Sequence, residues 1–163
     1  MTIAVAAIYL LTVDASWSAD WAWGLPLIVL TVIIHVSGLG VISQRIVHGA
    51  AGRKIERRHP KVAFIVVVGA TTLSATCLHG IEAGIWAFAY RRLGALADFK
   101  TCMLYSLNAM TSYGHTNITL ADHWHLMGAL EALNGWLLFG LTTAFLFAVI
   151  QNVWVSDRKT EHR

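Results

Sequence analysis

Three long stretches without a charged side chain limit what this chain can fold into. Residues 21–44 contain no Asp, Glu, Lys or Arg and one histidine, His35; residues 62–81 are free of charge and lead through Glu82 to a further apolar stretch ending at Tyr90; residues 132–156 form the third. A helix rises about 1.5 Å per residue, so about 20 residues cross a hydrocarbon core of about 30 Å. Each stretch is long enough to span. In lipid every backbone N–H and C=O needs a partner, and a helix supplies its own. Only 13% of the residues are charged, about half the share of a soluble domain. The sequence therefore predicts an all-α integral membrane protein with spans over 21–44, 62–90 and 128–154. It predicts no enzyme, no cofactor and no resident metal. The net charge of +3 is too segregated along the chain to indicate nucleic-acid binding. Two cysteines, Cys77 and Cys102, are too few for a disulfide scaffold or a zinc cluster.

A fourth uncharged run, 101–121, differs in kind. Its first ten residues are mildly apolar; the rest is polar, with Thr111, Ser112, Gly114, His115, Thr116, Asn117 and Thr119. Ten helical residues reach about 15 Å, half a bilayer. A half-length helix followed by polar backbone fits a re-entrant segment, which is tolerated only where protein buries it or where it lines water. The N-terminal residues 1–20 are apolar but lack the basic start of a signal peptide; they read as a surface or partly inserted helix. The linker 45–61 carries Arg45, Arg53, Lys54, Arg57, Arg58 and Lys61 against Glu56, which places it in the cytoplasm. If 101–121 turns back, the tail 157–163, with Arg158, Lys159 and Arg163, is cytoplasmic as well. Trp17, Trp21, Trp23, Trp124 and Trp154 stand near the expected boundaries, as in an aromatic belt.

The order helix, half-length helix, polar turn, helix leaves peptide groups that one chain cannot shield. Several chains around an axis could, with carbonyls of the turn replacing an ion's water. The residues of this turn, Y-S-L-N-A-M-T-S-Y-G-H-T-N-I over 105–118, resemble the pore helix and filter of the potassium-channel-like pore family, the bacterial two-helix-pore tetrameric cation channels. That family's pattern is Y-F-S-L-x-T-x-T-T-V-G-Y-G-D-I. From Ser106 onward the match needs no gap, and Ser106, Leu107, Thr111, Gly114 and Ile118 coincide with it. The flanks agree: 79–90, with His79, Glu82 and Trp86, resembles the helix before the pore, and 124–140, with Glu131, Asn134, Gly135 and Gly140, resembles the inner helix. The resemblance covers about 62–154. It implies a pore domain over 62–156 with pore helix and filter at 101–118, a homotetramer in the inner membrane surrounded by lipid, and passive passage of K+ or Na+. The implied selectivity filter is Thr111, Ser112, Tyr113, Gly114, His115, Thr116 and Asn117.

The filter is divergent. Thr116 stands at the family's second glycine, His115 at its tyrosine, Tyr113 at its valine and Asn117 at its aspartate. A β-branched residue at positive φ costs on the order of 1–3 kcal/mol. His115 either packs behind the filter or titrates at its mouth. Gly135 and Gly140 are candidate gating hinges; close helix packing is the other reading. His79, Glu82, Trp86, Glu131 and Asn134 are candidate supports of the pore. The carboxylates read as a proton relay, or as hydrogen-bonding groups behind the pore helix, bonded to Asn134 or backbone. His123 and His125, beside Asp122, read as an exposed loop. Two other functions compete. One is a non-conducting sensory protein on the pore fold. The other is a membrane redox protein with His35 and His79 as haem ligands. Counted from the inner helix ends, those histidines differ in depth by roughly 12 Å, against ligation within one chain.

Either the neighbours impose that strain on Thr116 or the filter has another shape; in the first case Thr116→Gly relieves it. In reconstituted protein it raises the permeability of potassium over sodium, read as a shift in reversal potential; an unchanged reversal potential would mean that Thr116 is not at a positive-φ position.

Overall fold

The computed structural model describes residues 2–48, 60–111, 113–114 and 117–161. Four α-helices carry the fold: α1 (Thr2–Ile42), α2 (Pro60–Arg92), α3 (Phe99–Thr111) and α4 (His125–Glu161). A π-helical turn, Ser43–His48, follows α1, and a 3-10 turn, Asp122–Trp124, precedes α4. No strand occurs among the described residues. Three stretches are helical, long enough and apolar enough to cross a membrane: Trp17–Arg45, Lys61–Arg92 and Asp122–Asn152. Among the described residues the protein is thus all-helical, with three helices long and apolar enough to cross a membrane.

The N-terminal segment and the first spanning helix, which the charge pattern separates at residue 20, fall in one helix of 41 residues. No glycine or proline stands between Asp14 and Asp20 to stop it. The core of the basic linker, 49–59, lies outside the described residues. In the tail, 157–161 continue α4, and 162–163 lie outside the described residues. The fourth uncharged run contributes α3, only 13 residues long. That is about 20 Å of helix, short of a bilayer.

Polar residues inside the apolar helices are accommodated locally. Thr71, Thr72, Ser74, Thr76 and Thr143 each return their hydroxyl to the carbonyl four residues earlier, at 2.7 to 3.0 Å. A hydroxyl satisfied by its own helix can face an apolar medium.

The chain divides into two compact units, Met1–Val32 with Glu82–Leu137, and Ile33–Ile81 with Leu138–Arg163. The first holds the larger core, which includes Trp86, Tyr90, Cys102, Tyr105, Met127 and Leu130. Two local signals turn the chain there. Gly94, at φ 68°, ends α2: its N–H reaches Arg91 O at 3.4 Å, and Ala95 N–H reaches Tyr90 O at 3.0 Å. This pair of bonds closes a helix end around a left-handed residue, a conformation that glycine adopts without a Cβ penalty. Asp98 then caps α3. Its carboxylate accepts Thr101 N–H at 3.0 Å and the Thr101 hydroxyl at 2.6 Å, satisfying one orphan donor of the first turn. In the second unit Leu39, Ala75 and Leu78 form a small cluster with Ile34, Ile42 and Phe145.

Glycines set the closest approaches in the first unit. A Cβ on Gly128 would collide with the Tyr105 hydroxyl, and one on Gly135 would run into the backbone of Met110, 2.6 Å from its Cα. A Cβ on Gly140, in the second unit, meets nothing within 4 Å. Backbone cannot step aside as a side-chain tip can. Gly135→Ala is expected to lower the melting temperature of the detergent-solubilised protein by several degrees. Gly140→Ala is expected to leave it unchanged or raise it slightly, since alanine is the better helix former by about 1 kcal/mol.

Candidate functional site

The candidate site is the strip that follows α3, with the side chains of the first unit that hold α3 in place. One face of α3 is buried, carrying Cys102, Tyr105, Ser106 and Ala109. The spacing of three, one and three residues is that of a single helical face. Leu104 and Leu107 face outward and are exposed. The Asp98 carboxyl that caps α3 is held below the usual range, first by the Thr101 hydroxyl and then by the Thr101 backbone N–H.

At the other end of α3 the Thr111 hydroxyl bonds Leu107 O at 2.7 Å. Tyr113 N–H donates to Asn108 O at 3.1 Å, one further turn at the end of the helix. Tyr113 is 85% exposed. Gly114 follows at φ 89°, a left-handed conformation in which a side chain is strained. Of the expected filter, Thr111, Tyr113, Gly114 and Asn117 are described and all are exposed in the single chain; Ser112, His115 and Thr116 lie outside the described residues. Ile118 packs against the core and Leu120 is buried. Ala121 N–H then reaches Ala95 O at 3.3 Å. The chain that leaves Ala95 toward α3 comes back beside it 26 residues later. Trp124 is buried, and the His125 Nε2–H donates to Leu120 O at 2.9 Å, fixing the entry to α4.

Behind α3 the polar support differs from its expected form. Glu131 on α4 is fully buried and accepts two hydroxyls: Tyr90 Oη of α2 at 2.7 Å, and Ser106 Oγ of α3. One carboxylate thereby ties three helices. Asn134 is not its partner. Its Nδ2 donates to Thr31 Oγ1 at 2.8 Å, and that hydroxyl donates to Leu27 O at 2.8 Å. This binds α4 to α1. The Tyr90 and Tyr105 rings meet edge to face with centroids 5.3 Å apart, and Trp86 lies 6.2 Å from Tyr90. Glu82 and Trp86 are fully buried on α2. Of the two glycines considered as hinges, Gly135 is a packing point against Met110 and Gly140 stands in open space.

In the second unit the depth argument about the histidines fails. The His35 and His79 rings lie 5.0 Å apart, and Thr142 Oγ1 is 3.0 Å from Nε2 of each. Counting from helix ends assumed that both helices start at one level. The register set by this pair and by Leu39, Ala75 and Leu78 instead leaves the first turns of α2 beyond the end of α1. A Cβ on Gly38 would lie 2.7 Å from the Leu78 side chain, so α1 and α2 pack closely beside the histidines.

Tyr90, Thr31 and Thr142 are functional neighbours that the sequence did not single out. Their partners stand 41, 103, 107 and 63 positions away, and no local pattern signals such pairs. Comparisons with protein-family models, curated proteins and solved structures find no match for this chain.

Glu131→Ala leaves the Tyr90 and Ser106 hydroxyls buried without their acceptor, at about 1–3 kcal/mol each. The loss of thermal stability is expected to exceed that of Tyr90→Phe, which removes one donor and leaves the Ser106 bond. Equal melting temperatures for the two variants would refute a shared carboxylate anchor.

Proposed function

We propose that the chain is one subunit of a homotetrameric cation channel of the potassium-channel-like kind, carrying monovalent cations passively through a divergent filter. The observation that carries this reading is the return of the chain from Ala95 to Ala121 around a 13-residue helix. A helix too short to cross, whose following strip ends beside its start, is what a re-entrant pore segment requires. Gly114 supports the reading independently: the filter glycine that the resemblance identifies is one of two described glycines at positive φ, the other being Gly94 at the end of α2. Exposed Tyr113, Gly114 and Asn117 leave polar backbone that neighbouring subunits and passing ions would satisfy.

In this reading α3 is the pore helix, the 111–117 strip forms the ion path, and Glu131 acts through Ser106 to hold the pore helix against the inner helix α4. Gly135 lets α4 approach the last turn of α3. The protein sits in the inner membrane with linker 45–61 and the C-terminus on the cytoplasmic side.

Purified protein reconstituted into liposomes should conduct K+ or Na+, and native mass spectrometry from detergent should give four chains. Gly114→Ala, strained at this positive φ, should abolish flux and lower the melting temperature slightly while leaving the tetramer assembled. A tetramer that passes no monovalent cation would identify a non-conducting relative of the pore fold, and a monomer would overturn the reading entirely.

A further inference from the structure

A second constellation lies in the unit formed by Ile33–Ile81 and Leu138–Arg163. Three helices each contribute one residue to it: His35 from α1, His79 from α2 and Thr142 from α4. His35 is fully buried and Thr142 nearly so. Both imidazole Nε2 atoms lie 3.0 Å from the one Thr142 oxygen, and the ring nitrogens are within 4.8 Å of one another. A hydroxyl carries a single proton. It can donate to one imidazole and must accept Nε2–H from the other, so the two histidines hold opposite tautomers.

We propose that the His35 and His79 pair, with Thr142 beside it, is a binding site for a transition-metal ion of the zinc or copper class. Neutral imidazole is a preferred ligand of these ions. Metal-to-imidazole bonds measure about 2.0–2.1 Å, so two nitrogens already 3.0 Å from a common oxygen close on one ion through shifts of about 1 Å or less. Ring rotation supplies such shifts without moving a helix. Binding replaces the two hydrogen bonds to Thr142 by two metal–nitrogen bonds, the Nε2–H proton of the donating ring moving to its own Nδ1 so that both ligands are neutral imidazoles; the hydroxyl is left as a third, weaker ligand.

The test uses the full-length protein in detergent, with Zn2+ as the titrant and Co2+ as the spectroscopic probe. About one Zn2+ per chain is expected at this site, with a rise in melting temperature, and Co2+ should add the visible bands of a four-coordinate site. His35→Gln and His79→Gln keep a side chain able to hydrogen-bond Thr142, and each should weaken binding at least tenfold. His123→Gln with His125→Gln, in the loop before α4, should leave it unchanged. X-ray absorption of the Zn2+-loaded wild-type protein should show two imidazoles around the metal, a measurement that does not depend on any variant folding. Binding that survives the His35→Gln/His79→Gln double variant, or a metal shell without an imidazole pair, would overturn the proposal.

Discussion

Inside hydrocarbon a polar group without a partner is the dearest thing a chain can carry. The protein answers that constraint at three levels. Peptide groups are enclosed in helices. Hydroxyls on the spanning helices bond back to their own carbonyls, as Thr71 and Ser74 do. Groups that no helix can satisfy alone are paired across helices: Glu131 accepts the hydroxyls of Tyr90 and Ser106, Asn134 donates its amide to Thr31, and Thr142 joins His35 and His79. A lipid setting would offer no hydrophobic drive between helices, and within each unit these cross-links and the close glycine contacts hold the helices together.

The position of α3 follows from the same constraint. Its start is fixed by Gly94 and Asp98, its flank by Ser106 bonded to Glu131, and its last turn by Gly135 against the Met110 backbone. A short helix held at its start, flank and last turn can present the following strip at a fixed place. Substitutions at Glu131 or Gly135 therefore act on the strip through α3, although neither residue belongs to it.

The spans were legible because charge is excluded from lipid and a bilayer sets a length; the half-length helix was legible for the same reason. Gly114 was legible because a left-handed backbone selects glycine. Residues 1–20 and the first span share one helix, Thr2–Ile42, since the charge of Asp14 and Asp20 marks a boundary for lipid but does not interrupt a helix. The partners of Glu131 were not legible. Tyr90 and Ser106 lie 41 and 25 positions away, and the register that brings them together is decided by packing. The same holds for His35 and His79, whose levels depend on how far α2 extends beyond α1. Residue counts along a helix give depth only when the starting level is known.

The electrostatics around the strip bear on what the proposed channel could select. Asn117 places no charge where the resembling family has an aspartate, and a tetramer would lose four negative charges there. The segments flanking α3 do not replace them: Arg91, Arg92 and Lys100 stand against Asp98 and Asp122, a balance of +1 per chain. Negative potential must then come from backbone. The C-terminal end of α3 carries a partial charge of about −0.5, and four such ends around an axis amount to about −2, with the carbonyls of the strip beyond them. A path whose attraction for cations rests on peptide dipoles discriminates by how rigidly those dipoles are held. In the proposed tetramer that rigidity would come from the Glu131 cross-link and the Gly135 contact behind α3 rather than from any charge in the strip itself.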